Sequence, residues 1–196
     1  MALPLLVFDA ERLSPALGYV FDPHWVNPDE SMASILWKFA HVNAIAGHVV
    51  VSHAAKQIVD PYEGVAFHHD DIHLERLRMT LHLPASVLRV ALGPRSATRR
   101  MSPYLRWCHS CLLQGYHSVV HQFDYVRRCP IHRKPIEMLC PACKQPATYR
   151  LHAQLLDAPY RCGRCGERYT AYVRRQKLPW RYFAPMHHTR VTRLAF

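Results

Sequence analysis

Seven cysteines and one histidine fall into four pairs, each with two residues between its members: Cys108/Cys111, Cys129/His132, Cys140/Cys143 and Cys162/Cys165. No other feature constrains the fold as strongly. Zinc takes four ligands at tetrahedral corners, and such a knuckle sets two sulfurs about 3.5–4 Å apart, one edge of that tetrahedron. Residues 112–128 separate the first two pairs and residues 144–161 the last two, gaps of 17 and 18 residues. Both lengths suit a zinc site closed by two knuckles. Sequential pairing predicts one site from Cys108, Cys111, Cys129 and His132, and a second from Cys140, Cys143, Cys162 and Cys165. The near-equal gaps suggest two copies of one unit. The alternative is a cross-braced arrangement that joins Cys108/Cys111 to Cys140/Cys143, as in RING domains. The seven residues 133–139 between His132 and Cys140 disfavour it. His109, His117 and His121 lie inside the first unit, but only His132 keeps the knuckle spacing. Pro130, Pro141, Gly163 and Gly166 suit knuckle turns. A redox dithiol would need only one such pair, after a strand. Four protein ligands leave no open position, so two structural Zn2+ ions are expected and neither is catalytic. A region of this size with few large apolar residues should draw its folding energy from the metal.

Charge adds a second constraint. The formal charge is +11. Seven thiolates subtract seven and two divalent ions return four, leaving about +8. An anionic partner is expected, nucleic acid first. No apolar run approaches the roughly 18 residues that would cross a bilayer. The start, Met1 to Phe8, lacks a basic segment and soon meets Asp9, Glu11 and Arg12, which does not resemble a secretory signal. A cytoplasmic protein is expected, in which cysteines serve metals rather than disulfides.

The chain divides into four segments. Residues 1–94 read as a mainly helical domain, 95–107 as a basic linker, 108–172 as tandem zinc ribbons with small β elements, and 173–196 as a basic, aromatic tail. Pro4, Pro15, Pro23 and Pro28 keep the first 30 residues out of long helices. Asp29 or Ser31 can cap a helix carrying Met32, Ile35, Leu36, Phe39 and Val42 on one face. Val49, Val50 and Val51 fit either a strand or a buried helix, and residues 60–73 read as loop. Asp70 or Asp71 can cap a helix with Leu74, Leu77 and Leu81 on one side. His82-Leu83 then turns, Pro84 suits the first position of the next helix, and Leu88, Ala91 and Leu92 form its apolar side before Gly93-Pro94 stops it. This pair has the shape of a helix-turn-helix. His68, His69, Asp70, Asp71 and His73 are explained better as a polar capping loop than as a metal site.

Several segments together resemble the TniQ/TnsD transposition proteins. They are Arg106-Trp-Cys-His-Ser-Cys-Leu-Leu-Gln-Gly-Tyr-His-Ser, His121-Gln-Phe, Arg128-Cys-Pro-Ile-His and Leu139-Cys-Pro-Ala-Cys. Residues 28–43 are similar to that family's Gly-Glu-Ser opening helix, with Asp29 where glycine is usual, and Leu74–Leu92 resembles its helix-turn-helix. The likeness covers roughly residues 25–170. It implies a target-selection adaptor of a Tn7-like transposon. Such a protein couples a target-recognition module to an AAA+ ATPase of TnsC type, which recruits the transposase. In one branch the module is a CRISPR effector complex with its guide RNA; in the TnsD branch the protein reads target DNA itself. A homodimer is compatible with both.

An adaptor is favoured over a sequence reader because the second helix, Pro84 to Leu92, offers only Ser86 and Arg89 to base edges. The alternatives are a zinc-ribbon, helix-turn-helix DNA-binding protein (an attachment-site reader or transcription regulator) and a RING-like ubiquitin-transfer scaffold. Candidate contacts to nucleic acid or a partner are Arg89, Arg95, Arg99, Arg100, Arg127 and Arg128, with Arg133 and Lys134 beside them. In the tail they are Arg174, Arg175, Trp180 and Arg181, where arginines and aromatics alternate. The chain has no nucleophile elbow and no phosphate-binding glycine loop, so no enzymatic activity is expected.

Overall fold

A computed structural model describes residues 18–170. The expected tail contacts Arg174, Arg175, Trp180 and Arg181 lie outside the described residues. Within them the fold is mainly helical: α1 (Met32–Val42), α2 (Gly47–Ala54), α3 (Leu74–Leu81), α4 (Ala85–Leu92), α5 (His109–Leu113) and α6 (Ala153–Asp157). One antiparallel ladder joins β1 (Val65–Ala66) to β2 (Arg150–Leu151), with Val65 opposite Leu151 and Ala66 opposite Arg150. No described helix is long and apolar enough to cross a membrane.

Helix α1 begins at Ser31, whose hydroxyl accepts from the Ser34 amide at 3.2 Å. Nearly all of its side chains are buried, from Met32 through Trp37 to Ala40, so it runs through the middle of the core. Asp29 has φ of +56°, a left-handed conformation. Glycine adopts it freely and aspartate better than most residues, so Asp29 is tolerated at this turn before α1.

Several local expectations change. Val49–Val51 sit inside helix α2, not a strand. The loop over residues 60–73 contains β1. Helix α3 is capped by His73, whose Nδ1 accepts from the Arg76 amide at 3.2 Å, and not by Asp70 or Asp71. Asp70 instead accepts from Arg95 at 3.0 Å. His82 at φ +52° ends α3, and Pro84 holds the cap position before α4, one residue earlier than expected.

One hydrophobic core runs through the helices and the second cysteine unit. It takes in Ile35, Trp37, Leu77, Leu88, Leu105, Trp107, Tyr149, Leu151, Leu156 and Tyr169. Helix α6 lies between the last two cysteine pairs and packs on α1 and α2. The Trp37 indole donates to the Leu155 carbonyl at 2.7 Å, and the Asp157 carboxylate accepts from the Gly47 amide. A Cβ on Gly47 would meet the Ala153 carbonyl oxygen at 2.5 Å, so only glycine permits this approach. Residues 103–107 are docked rather than free: Leu105 donates to the Ala147 carbonyl, and Trp107 and Glu137 exchange backbone bonds, each at 2.8 Å.

The start of α1 is latched onto the first cysteine unit. The Ser31 amide donates to the His117 carbonyl at 2.8 Å, and Val119 donates to Asp29 at 2.9 Å. The Ser31 hydroxyl and His117 Nδ1 are 2.6 Å apart. With its Nε2–H donating to the Arg106 carbonyl at 2.8 Å, His117 accepts the Ser31 proton at Nδ1. Gln122 donates to the same carbonyl at 2.8 Å. Glu30 accepts from Ser34, the Asn27 amide and Lys38, so its buried charge is paired.

Complete burial, with His121 beside it, pushes the His117 pKa from 6.5 down to about 3. The unfolded chain therefore binds a proton below pH 6.5 that the fold refuses until near pH 3. His117 contributes its full stability above pH 6.5 and loses it as pH falls towards 3. Urea unfolding at pH 5.5 should show about 1.4 kcal/mol less stability from this group than at pH 7.5. A His117→Asn variant should lose that share of the pH dependence; an unchanged slope would place the titration elsewhere.

Candidate metal centres

Three of the four knuckles share one backbone design. Arg128 bridges Pro135, Leu139 bridges Pro146, and Arg161 bridges Arg168, so each knuckle closes a tight hairpin. In each, the first ligand's amide donates across the hairpin: Cys129 to Lys134 at 2.8 Å, Cys140 to Gln145 at 3.1 Å, Cys162 to Glu167 at 2.8 Å. The residue after the second ligand donates back to the first ligand's carbonyl. That residue is left-handed every time: Arg133 at φ +58°, Lys144 at +59° and Gly166 at +75°. Only Gly166 adopts this without cost; Arg133 and Lys144 are held there by the hairpin. The remaining knuckle differs, since Cys108 is the cap residue of α5 and Cys111 lies within that helix.

The hairpins bring the ligands together as sequential pairing requires. Cys108, Cys111, Cys129 and His132 form one group and Cys140, Cys143, Cys162 and Cys165 another, with ligand atoms within 4.8 Å of one another in each. Among the described residues no other group of three or more such side chains is gathered this way, including His68 to His73. His132 presents Nδ1, at 3.6 Å from the Cys108 sulfur, 3.3 Å from Cys111 and 3.7 Å from Cys129. Cys111 and Cys129 are 3.7 Å apart. In the second group Cys140–Cys165 is 3.6 Å and Cys143–Cys162 is 3.7 Å. A zinc tetrahedron has S–S edges of about 3.8 Å and S–N edges of about 3.6 Å, so both donor sets fit a tetrahedral ion.

Electrostatics also favours a cation at each centre. Hydrogen bonding from Cys108 and Cys129, with burial, holds the Cys111 thiol far above its ordinary range. Hydrogen bonds from Cys108 and Cys111 hold Cys129 far below it. Burial pushes Cys140 up to about 12, while the Gln145 amide lowers Cys143 to about 7. A divalent ion would let all of these thiols ionise together.

The two clusters differ in shielding. Cys108, Cys111 and Cys129 are sealed from solvent and sit with Tyr116, Ile131 and Ile136 in a small apolar core. In the second cluster Cys165 is exposed and Cys143 half-buried. Of the other first-unit histidines, His121 places Nε2 at 3.9 Å from the Cys111 sulfur, beside the cluster. His117 belongs to the latch, and His109 Nε2 is buried without a partner.

The expected contact arginines are dispersed. Arg89 is exposed on α4, and Arg100 and Arg127 are exposed in the first unit's surroundings. Arg95 is ion-paired to Asp70 on the surface. Arg99 lies in the short 3-10 turn Arg95–Arg100. Arg128 is exposed, yet its guanidinium donates to the Arg133 carbonyl at 3.2 Å. Arg161 does the same to Gly166 at 3.1 Å. Each of these arginines precedes the first ligand of its knuckle and braces the left-handed residue after the second. Sequence reasoning missed this role, although the repeated Arg-Cys dipeptide signals it.

On chelator challenge, metal should leave the second cluster before the first, in two phases read with a metallochromic dye. Cys165→Ser should abolish the early phase. Arg161→Ala should weaken retention at the second cluster about tenfold, the usual scale for a residue that supports a ligand loop. Simultaneous release from both clusters would contradict the difference in shielding.

The matched family agrees with this geometry. No curated protein matches the chain. The TniQ family model matches residues 25–136, a span that holds α1, the helix pair, the latch and the whole first cluster. That span is more than half of the 196 residues, and the chain belongs to the TniQ family of transposition-associated proteins.

Proposed function

We propose that the protein is a non-enzymatic transposition adaptor with two structural Zn2+ ions. It couples a target-recognition module to an AAA+ ATPase of TnsC type and so directs DNA insertion. The module is an RNA-guided CRISPR effector complex or target DNA. The observation that carries this reading is the TniQ match over residues 25–136, which form helices and first cluster latched together. Three thiolates with one imidazole, and four thiolates, are donor sets that suit zinc; both are complete, so the ions hold shape rather than perform chemistry.

The outward side of α4 supports an adaptor over a base-reading protein. Val87 and Val90 line a shallow apolar groove with Leu83, Pro84, Pro23 and Val26. A recognition helix would need polar groups there, and α4 presents only Ser86 and Arg89.

Elemental analysis of the purified chain should give two zinc ions per molecule. The tagged protein should capture the AAA+ ATPase encoded beside it, and capture should fail after zinc is removed. Failure to capture ATPase or effector, together with tight, salt-sensitive binding to one duplex sequence, would replace the adaptor with a direct site reader.

A further inference from the structure

The turn Phe123–Val126 carries an aromatic ring that the metal centres and the latch do not use. Val126 donates to the Phe123 carbonyl at 3.0 Å, closing the turn. The Arg106 side chain, only 7% exposed, donates to the carbonyls of both Phe123 and Val126, so a buried cation pins both ends. The Asp124 amide donates to the Arg100 carbonyl at 2.9 Å, tying the turn to the end of the 3-10 turn Arg95–Arg100. On this support Tyr125 is 59% exposed. Its ring lies parallel to that of buried Phe123, at 7° and 5.5 Å between centroids. The ring therefore rests against Phe123 while most of the residue is open to solvent. Exposed Arg127 follows it by two residues and exposed Arg100 is joined to the turn through its carbonyl, while the exposed carboxylate of Asp124 interacts with the buried charge of Arg106.

We propose that Tyr125 is a stacking platform for an unpaired base of single-stranded nucleic acid, with Arg100 and Arg127 holding the adjoining phosphates. A rigid ring costs little further ordering when it binds. The net charge of +11 draws in a polyanion. Arg100, Arg127 and Arg128 are exposed around the turn against one exposed carboxylate, Asp124, and this excess of guanidinium groups suits phosphates better than an apolar protein surface. A base inside a duplex is covered on both faces, so an open ring of this kind fits a single strand. The proposal does not depend on the adaptor reading, since it rests on the geometry and charge of this turn alone.

The test is fluorescence anisotropy of the zinc-loaded full chain with a labelled deoxythymidine oligomer. A second oligomer of equal length has abasic positions. Tyr125→Ala should weaken binding of the first about tenfold, and Tyr125→Phe should retain it. The abasic oligomer should bind the native protein as weakly as thymidine binds Tyr125→Ala. Arg127→Ala should weaken both oligomers equally and reduce the salt dependence. Matching thermal melts will show that the variants are folded, as expected for a mostly exposed side chain. No binding by the native protein, equal affinity of native and Tyr125→Ala, or equal affinity for both oligomers would each overturn the proposal. So would a Tyr125→Ala variant that binds thymidine normally but no longer captures the ATPase, which would assign the ring to a protein contact.

Discussion

The contact between the start of α1 and the loop of the first cysteine unit is the constraint on which the rest of the structure depends. The Ser31 hydroxyl, His117 and the Arg106 carbonyl form a buried chain of hydrogen bonds between segments 86 residues apart. Buried polar groups of this kind are costly when half satisfied and specify one arrangement when complete. Here two backbone bonds flank the side-chain contact, so α1 enters the core at one angle and in one register. The neighbouring residues Glu30 and Ser31 do different work. Glu30 neutralises Lys38 and receives Ser34, while Ser31 caps the helix and makes the latch.

The second cysteine unit is joined to the helices differently. Its inter-ligand segment is folded into α6, which supplies the Leu155 carbonyl to Trp37 and fills the space over Gly47. The rings of Trp107 and Tyr169 pack at 4.3 Å between centroids, tilted by 36°, and Trp107 pairs through its backbone with Glu137 between the two units. Metal at either cluster would thus stabilise more than its own loop. Each loop contributes a wall of the shared core, so binding free energy is delivered to the helical part as well.

Arginine serves here mainly as a structural donor. Arg106, Arg128 and Arg161 all give their guanidinium hydrogens to backbone carbonyls of turns. The fixed fork of five donors suits this task, and a lysine would not span two carbonyls as Arg106 does. A high positive charge is therefore a poor map of where a polyanion binds. The same turn that Arg106 braces is the one that presents Tyr125.

By itself the sequence determined which cysteines and histidine gather into the two clusters, and the local elements that spacing controls. Four knuckles of equal gap, the Ser31 cap of α1 and the apolar periodicity of α1, α3 and α4 were all legible, because each depends on contacts within a few residues. The family was legible from the same motifs and is matched over residues 25–136. Only the tertiary structure decided what those elements pack against. A short apolar run such as Val49–Val51 has no periodicity of its own, and its burial against α6 settles it as helix. Two-residue strands such as β1 and β2 exist only through partners distant in the chain, Val65 with Leu151 and Ala66 with Arg150. The left-handed turns at Arg133 and Lys144 carry no glycine to announce them, since the closing hairpin holds them there. The roles of His117 and Arg106 follow from burial, and burial is a property of the assembled chain rather than of any segment of it.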